Sequence, residues 1–169
     1  DKLNNICLEL FKSLEENLGC DGLLKEINIK YHKKCDTGIK SYYKNKDNDF
    51  YLELLNKKFI KQQSLDEIID NRLGSICQLG IKMAWIIGNG VIKEKELKRI
   101  GKLGLNFARM FQLSNDFTNL KNNDKNYIIN CGFSVSYQMF LKNKQEFIEE
   151  SLVLDILSIT VKEILDNIE

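Results

Sequence analysis

Not one proline occurs among the 169 residues, where average usage of about 5% would supply roughly eight. Proline is the residue that most often stops or kinks a helix, so a chain without it is free to build long uninterrupted ones. The apolar residues use that freedom. Leu3, Ile6, Cys7, Leu10, Phe11, Leu14 and Leu18 recur at the spacing of one helical face, and Gly19 supplies a stop. Asp21 can cap a second segment through Leu23, Leu24, Ile27 and Tyr31. No alternating strand and no internal repeat is recognisable.

Periodicity fades after Tyr31 into a lysine-rich loop over residues 35–50. Between Lys25 and Lys61 ten lysines face five acidic residues, a local surplus of +5. A solvated loop accounts for most such runs, and a phosphate-facing or membrane-surface patch is the alternative. The pattern resumes at Leu52, Leu55 and Phe59. Ser64 with Glu67 has the form of a capping box, predicting a helix that places Leu65, Ile68, Ile69, Ile76, Leu79, Met83 and Ile87 along one side up to the Gly88-Asn89-Gly90 turn. A second long helix is predicted from about Lys93 to Leu120, with Leu97, Ile100, Gly104, Phe107, Phe111 and Leu113 inward. Two more cover 134–150 and 152–168. The expected fold is all-α, an antiparallel bundle of about seven helices, in which Gly74, Gly80 and Gly104 mark close helix approach.

Charge and composition narrow the function. Twenty-five basic and 24 acidic side chains leave a formal charge of +1, which argues against a dedicated nucleic-acid binder. The longest apolar run, Met83 to Ile87, is far short of a membrane span. The chain opens on Asp1 with no leader pattern, so it is expected to be a piece of something longer. Five scattered cysteines and a single histidine, His32, indicate neither a disulfide framework nor a zinc site, and a reducing cytoplasm is the simplest compartment. His32 lies in the lysine-rich region, which leaves little room for a Ser-His-Asp or Cys-His catalytic arrangement. Gly88-Asn89-Gly90 lacks the Lys-Ser or Lys-Thr of a phosphate loop.

The informative segment is Phe111-Gln112-Leu113-Ser114-Asn115-Asp116-Phe117-Thr118-Asn119. Asn115 and Asn119 stand one helical turn apart, so with Asp116 three oxygen-bearing side chains can converge, as they do where magnesium is held against a diphosphate. Taken alone, polar residues on a solvated face explain the pattern better. This segment resembles the second aspartate-rich motif, F-Q-x-x-D-D-x-x-D, of the trans-isoprenyl diphosphate synthases (the polyprenyl synthetase family). Gly104, Asn106 and Ala108 resemble that motif's lead-in, and Arg72-Leu73-Gly74-Ser75-Ile76 resembles the family's K-T-G-x-L segment. Trp85 to Gly90, with Asn126-Tyr127 and Gly132, is most like the trans-prenyltransferases of large DNA viruses. The resemblance spans residues 64–132 and makes 1–169 the C-terminal part of an isoprenoid-synthase-like helical domain.

What the resemblance implies is a magnesium-assisted transfer. Diphosphate leaves an allylic substrate with the bonding electrons, and the double bond of isopentenyl diphosphate attacks the resulting carbocation. On this sequence Arg72 and Gln112 would contact the substrate diphosphate, Phe111 would line the pocket, and Asp116, Asn115 and Asn119 would hold the metal. A homo- or heterodimer is expected, in the cytoplasm or at a membrane periphery because of the lipid product. The departures are specific. Two aspartates of the motif are Asn115 and Asn119 here, so its charge falls from −3 to −1, and neutral amides weaken a magnesium site. The Lys-Thr pair is Arg72-Leu73. The family's first aspartate-rich motif is missing, and is expected upstream of Asp1 if present. Three readings stay open: a divergent chain-elongating prenyltransferase, a catalytically degenerate binding or regulatory subunit of the same fold, and an unrelated helical interaction module.

Overall fold

The computed structural model describes residues 59–89, 93–120 and 125–168, with Cys7, Leu8, Phe11, Tyr31 and His32. The expected helix over 21–31 and the lysine-rich loop at 35–50 lie outside these residues, as does most of the first helix, of which Cys7, Leu8 and Phe11 are helical. Among the described residues the chain is mostly helical and of the all-α class. In order come β1 (Tyr31–His32), β2 (Phe59–Ile60), α1 (Gln62–Ile69), a π-helical segment (Asp70–Gly74), α2 (Ser75–Asn89), α3 (Glu94–Thr118), α4 (Tyr127–Cys131), α5 (Phe133–Val153) and α6 (Ile159–Ile168). β1 and β2 form an antiparallel pair, Tyr31 opposite Ile60 and His32 opposite Phe59. The sequence reading contained no strand. A pairing of two residues is too short to carry the alternation by which strands are recognised.

α3 is the central element, packed on α2 along one side and on α5 along the other. Against α2 the approach is set by glycine. A Cβ built on Gly104 would lie 2.7 Å from the Cα and 2.8 Å from the backbone nitrogen of Gln78, and one on Gly74 would lie 2.8 Å from Leu105 Cδ1. Arg109 pairs with Asp70 further along the same seam. The paired numbers run in opposite directions, so the helices are antiparallel, as the short connection between them requires. The α5 side is closed by larger groups. Phe107 packs on Phe147 at 6.1 Å between ring centroids, Asn106 donates to Glu146, and Arg99 and Lys102 both reach Glu150.

Three expectations need correction. Gly80 is exposed, with nothing within 4 Å of a built Cβ, so it marks no helix contact. Ser64 lies inside α1 and Lys61 occupies the N-cap position without a side-chain cap bond. The helix starts as soon as β2 ends, three residues ahead of the capping-box pattern. The inward stripe also fails to continue: Leu65, Ile68 and Ile69 are buried, whereas Ile76, Met83 and Ile87 are exposed. The π segment between them is the reason. Its wider turn takes the downstream residues out of phase with the upstream ones, and Gly74, Ser75 and Ile86 turn inward instead.

No helix among the described residues is long and apolar enough to cross a membrane.

Candidate functional site

The π segment, the second half of α3 and the start of α4 meet in one polar network. Arg109 donates through Nε to Asp70 Oδ1 at 2.7 Å and through a terminal nitrogen to Oδ2 at 2.6 Å. This two-pronged geometry matches guanidinium to carboxylate and locks the π segment onto α3. It also holds the guanidinium's pKa above its ordinary value. Ser75 Oγ lies 3.1 and 3.0 Å from the carbonyls of Asp70 and Asn71 and shares its one hydrogen between them. Arg72 stands inside this braced segment.

Arg72 and Gln112 border one cavity of about 170 Å³, together with Lys125 and the apolar side chains of Leu65, Ile68, Ile69, Leu73 and Ile76. The site therefore has a polar rim of two cations and an amide over an aliphatic wall. Lys125 escaped the sequence reading because nothing in its local spacing sets it apart. It reaches the cavity through the connection between α3 and α4.

Asp116 is 1% exposed and both carboxylate oxygens are engaged. Oδ1 accepts from Gln112 Nε2 at 2.8 Å and Oδ2 from the backbone N–H of Tyr127 at 2.7 Å. The second bond satisfies one of the donors that the first turn of α4 leaves without an intrahelical acceptor. Burial raises the Asp116 pKa, opposed by the Tyr127 and Gln112 bonds. Asn126 completes the joint. Its Oδ1 accepts from Ile129 N–H as the N-cap of α4, while its Nδ2 donates to the Asp116 and Asn119 carbonyls at the end of α3. Asn130 then donates to the Asn126 carbonyl and accepts from Ile60 N–H, tying β2 to the same knot. Gly132, at φ 91°, ends α4 in a backbone region that glycine alone enters readily. Tyr127 donates its hydroxyl to Asp66 at 2.8 Å. Burial raises the pKa of both groups.

The remaining motif residues face elsewhere. Asn119 Nδ2 donates to Asn115 Oδ1 at 2.8 Å, and both side chains are exposed. Asn115 and Asp116 are adjacent and point about 100° apart. Asn119 follows Asp116 by three places, but its amide bonds Asn115 and is exposed, while the Asp116 carboxylate is buried against Gln112 and Tyr127. Phe111 is 51% exposed and stacks on Phe107, away from the cavity that Arg72 and Gln112 share. The structure thus brings together Arg72 and Gln112, joins Asp116 to them through the Gln112 amide, and leaves Phe111, Asn115 and Asn119 apart.

Magnesium keeps several waters and demands near-octahedral oxygen ligation. A carboxylate with almost no exposure, already accepting from an amide and a backbone N–H, does not fit that requirement as it stands here. Comparison with protein-family models, curated proteins and solved structures returned no match.

Proposed function

We propose that the chain is part of a prenyltransferase-like protein that binds isoprenyl diphosphates, with an isoprenoid-synthase-like bundle of about seven helices in the whole domain. One observation carries the reading: Arg72, Lys125 and Gln112 rim a cavity whose wall is aliphatic. A ligand suited to it has an anionic head and a hydrocarbon tail. Guanidinium and ammonium groups would neutralise the diphosphate, and Gln112, turned with its Nε2 toward Asp116, has its amide orientation set before a ligand arrives. Preorganisation of this kind lowers the cost of binding. The volume of about 170 Å³ lies below the roughly 300–1,000 Å³ of typical ligand pockets, so the cavity suits the head group and the first carbons of a tail.

In the chain-elongating reading, the same cations stabilise the diphosphate as it leaves, and the aliphatic wall keeps water from the carbocation. The second reading, a catalytically degenerate binding or regulatory subunit, is favoured by the arrangement of the motif, whose single carboxylate is occupied by its own fold. Titration of the full chain with a non-hydrolysable allylic diphosphate analogue tests the shared part. Arg72→Ala and Lys125→Ala should each weaken binding about tenfold, the effect of losing one charge-assisted contact. Unchanged affinity in both variants refutes the site. Product formation with isopentenyl diphosphate then separates the enzyme from the binding subunit.

A further inference from the structure

We propose that Asp116 is a structural latch between α3 and α4 rather than a magnesium ligand, and that the Arg72–Lys125–Gln112 cavity takes a diphosphate group without a divalent metal. The inference rests on the diphosphate reading of that cavity. Three observations carry it. Both oxygens of Asp116 are committed, one to Gln112 and one to the first N–H of α4. The carbonyl of the same residue accepts from Asn126, which itself caps α4, so Asp116 is tied to the joint by side chain and backbone alike. Asn115 and Asn119 are exposed and their amides are engaged with each other rather than with the buried Asp116 carboxylate. Charge neutralisation at the cavity therefore comes from Arg72 and Lys125 directly. Asp116 contributes at second hand, by fixing the amide of Gln112 at the rim.

The experiment titrates inorganic diphosphate into the full chain by calorimetry, once in EDTA and once in excess magnesium, alongside amide hydrogen exchange at Tyr127. Binding in EDTA should match binding in magnesium to within about threefold, and Arg72→Ala should weaken it about tenfold under both conditions. Asp116→Asn should speed exchange at the Tyr127 amide and, by loosening the Gln112 amide, weaken binding to the same extent in EDTA and in magnesium. Binding that requires magnesium, and is lost in a folded Asp116→Asn variant, overturns the latch and leaves the diphosphate site standing. No binding under either condition removes the diphosphate reading and this inference with it. Should Asp116→Asn fail to fold, Asn115→Asp with Asn119→Asp decides, since both positions are exposed. No gain in magnesium-dependent affinity supports the latch, and a gain of about tenfold or more overturns it.

Discussion

Two glycines in packed and open settings give a stability test of opposite signs. At Gly104 a methyl group would meet the Gln78 Cα at 2.7 Å, its nitrogen at 2.8 Å and the Cys77 carbonyl carbon at 3.0 Å. These are backbone atoms of α2, which cannot rotate aside. Restoring an ordinary contact of 3.4 Å from 2.7 Å means parting α2 and α3 by roughly 0.7 Å, which loosens close packing along the seam. Overpacking costs about 1–3 kcal/mol, and the better helix propensity of alanine returns about 1 kcal/mol. Gly104→Ala should therefore lose up to about 2 kcal/mol. Gly80, inside α2 itself, has nothing within 4 Å of a built Cβ. Gly80→Ala should gain about 0.5–1 kcal/mol from propensity alone. With a urea slope of about 1–3 kcal/mol per molar, the two variants should differ in unfolding midpoint by roughly 1 M, read by circular dichroism at 222 nm. A Gly104→Ala protein stabilised as much as Gly80→Ala would refute the close seam, and a destabilised Gly80→Ala would refute the open environment of Gly80.

Other perturbations address the polar network. Arg109→Lys keeps the charge but loses the two-pronged bond to Asp70, and should cost about 1 kcal/mol after allowing for partial solvent screening, measured by the same unfolding titration. Burial raises the Asp66 pKa from 3.8, so the folded state holds that proton more tightly than the unfolded state. This contribution is fully present below 3.8 and is lost as pH rises through the raised folded value. The stability of Asp66→Asn relative to the parent should accordingly improve with rising pH across that window, and a constant difference would refute the burial of the carboxylate. Glu150 has the opposite sign. Burial pushes it up, but bonds from Arg99 and Lys102 outweigh this and hold its pKa below 4.5. Its contribution, about 0.5 kcal/mol for so exposed a set of cations, is present above 4.5 and fades as pH falls through the lowered value. Glu150→Gln should flatten that limb of the stability profile.

Much of the helical framework was legible because its signals are local. The absence of proline and the periodicity after Lys93 predict a helix from Lys93 to Leu120, and α3 runs Glu94–Thr118. The readings at 134–150 and 152–168 correspond to Phe133–Val153 and Ile159–Ile168. What local reading misses is phase. Ile76, Met83 and Ile87 extend the stripe of Leu65 and Ile69 on paper, yet they are exposed, because the π segment between the two halves is stabilised from outside the helix by Arg109. α4 was missed for a related reason. Five residues are too few to show a period, and its ends are held by Asn126 and Gly132 rather than announced by an apolar face.

The candidate site divides along the same line. Arg72 and Gln112 were singled out from short motifs 40 positions apart, and the antiparallel seam sets them at one cavity. The spacing of Asn115, Asp116 and Asn119 carried the idea of a shared ion, but spacing reports which side chains share a face and says nothing about what else presses on that face. Positions 115 and 119 do share one, and they bond each other. Position 116 lies on the next, where α4 begins, and an N–H that needs an acceptor claims the carboxylate. A buried donor left without an acceptor costs about 1–3 kcal/mol, so a metal could take Asp116 only by supplying more than the joint would lose. That competition between a helix terminus and an ion is invisible in the motif, because its other partner, Tyr127, lies 11 residues downstream in a helix the pattern does not reveal.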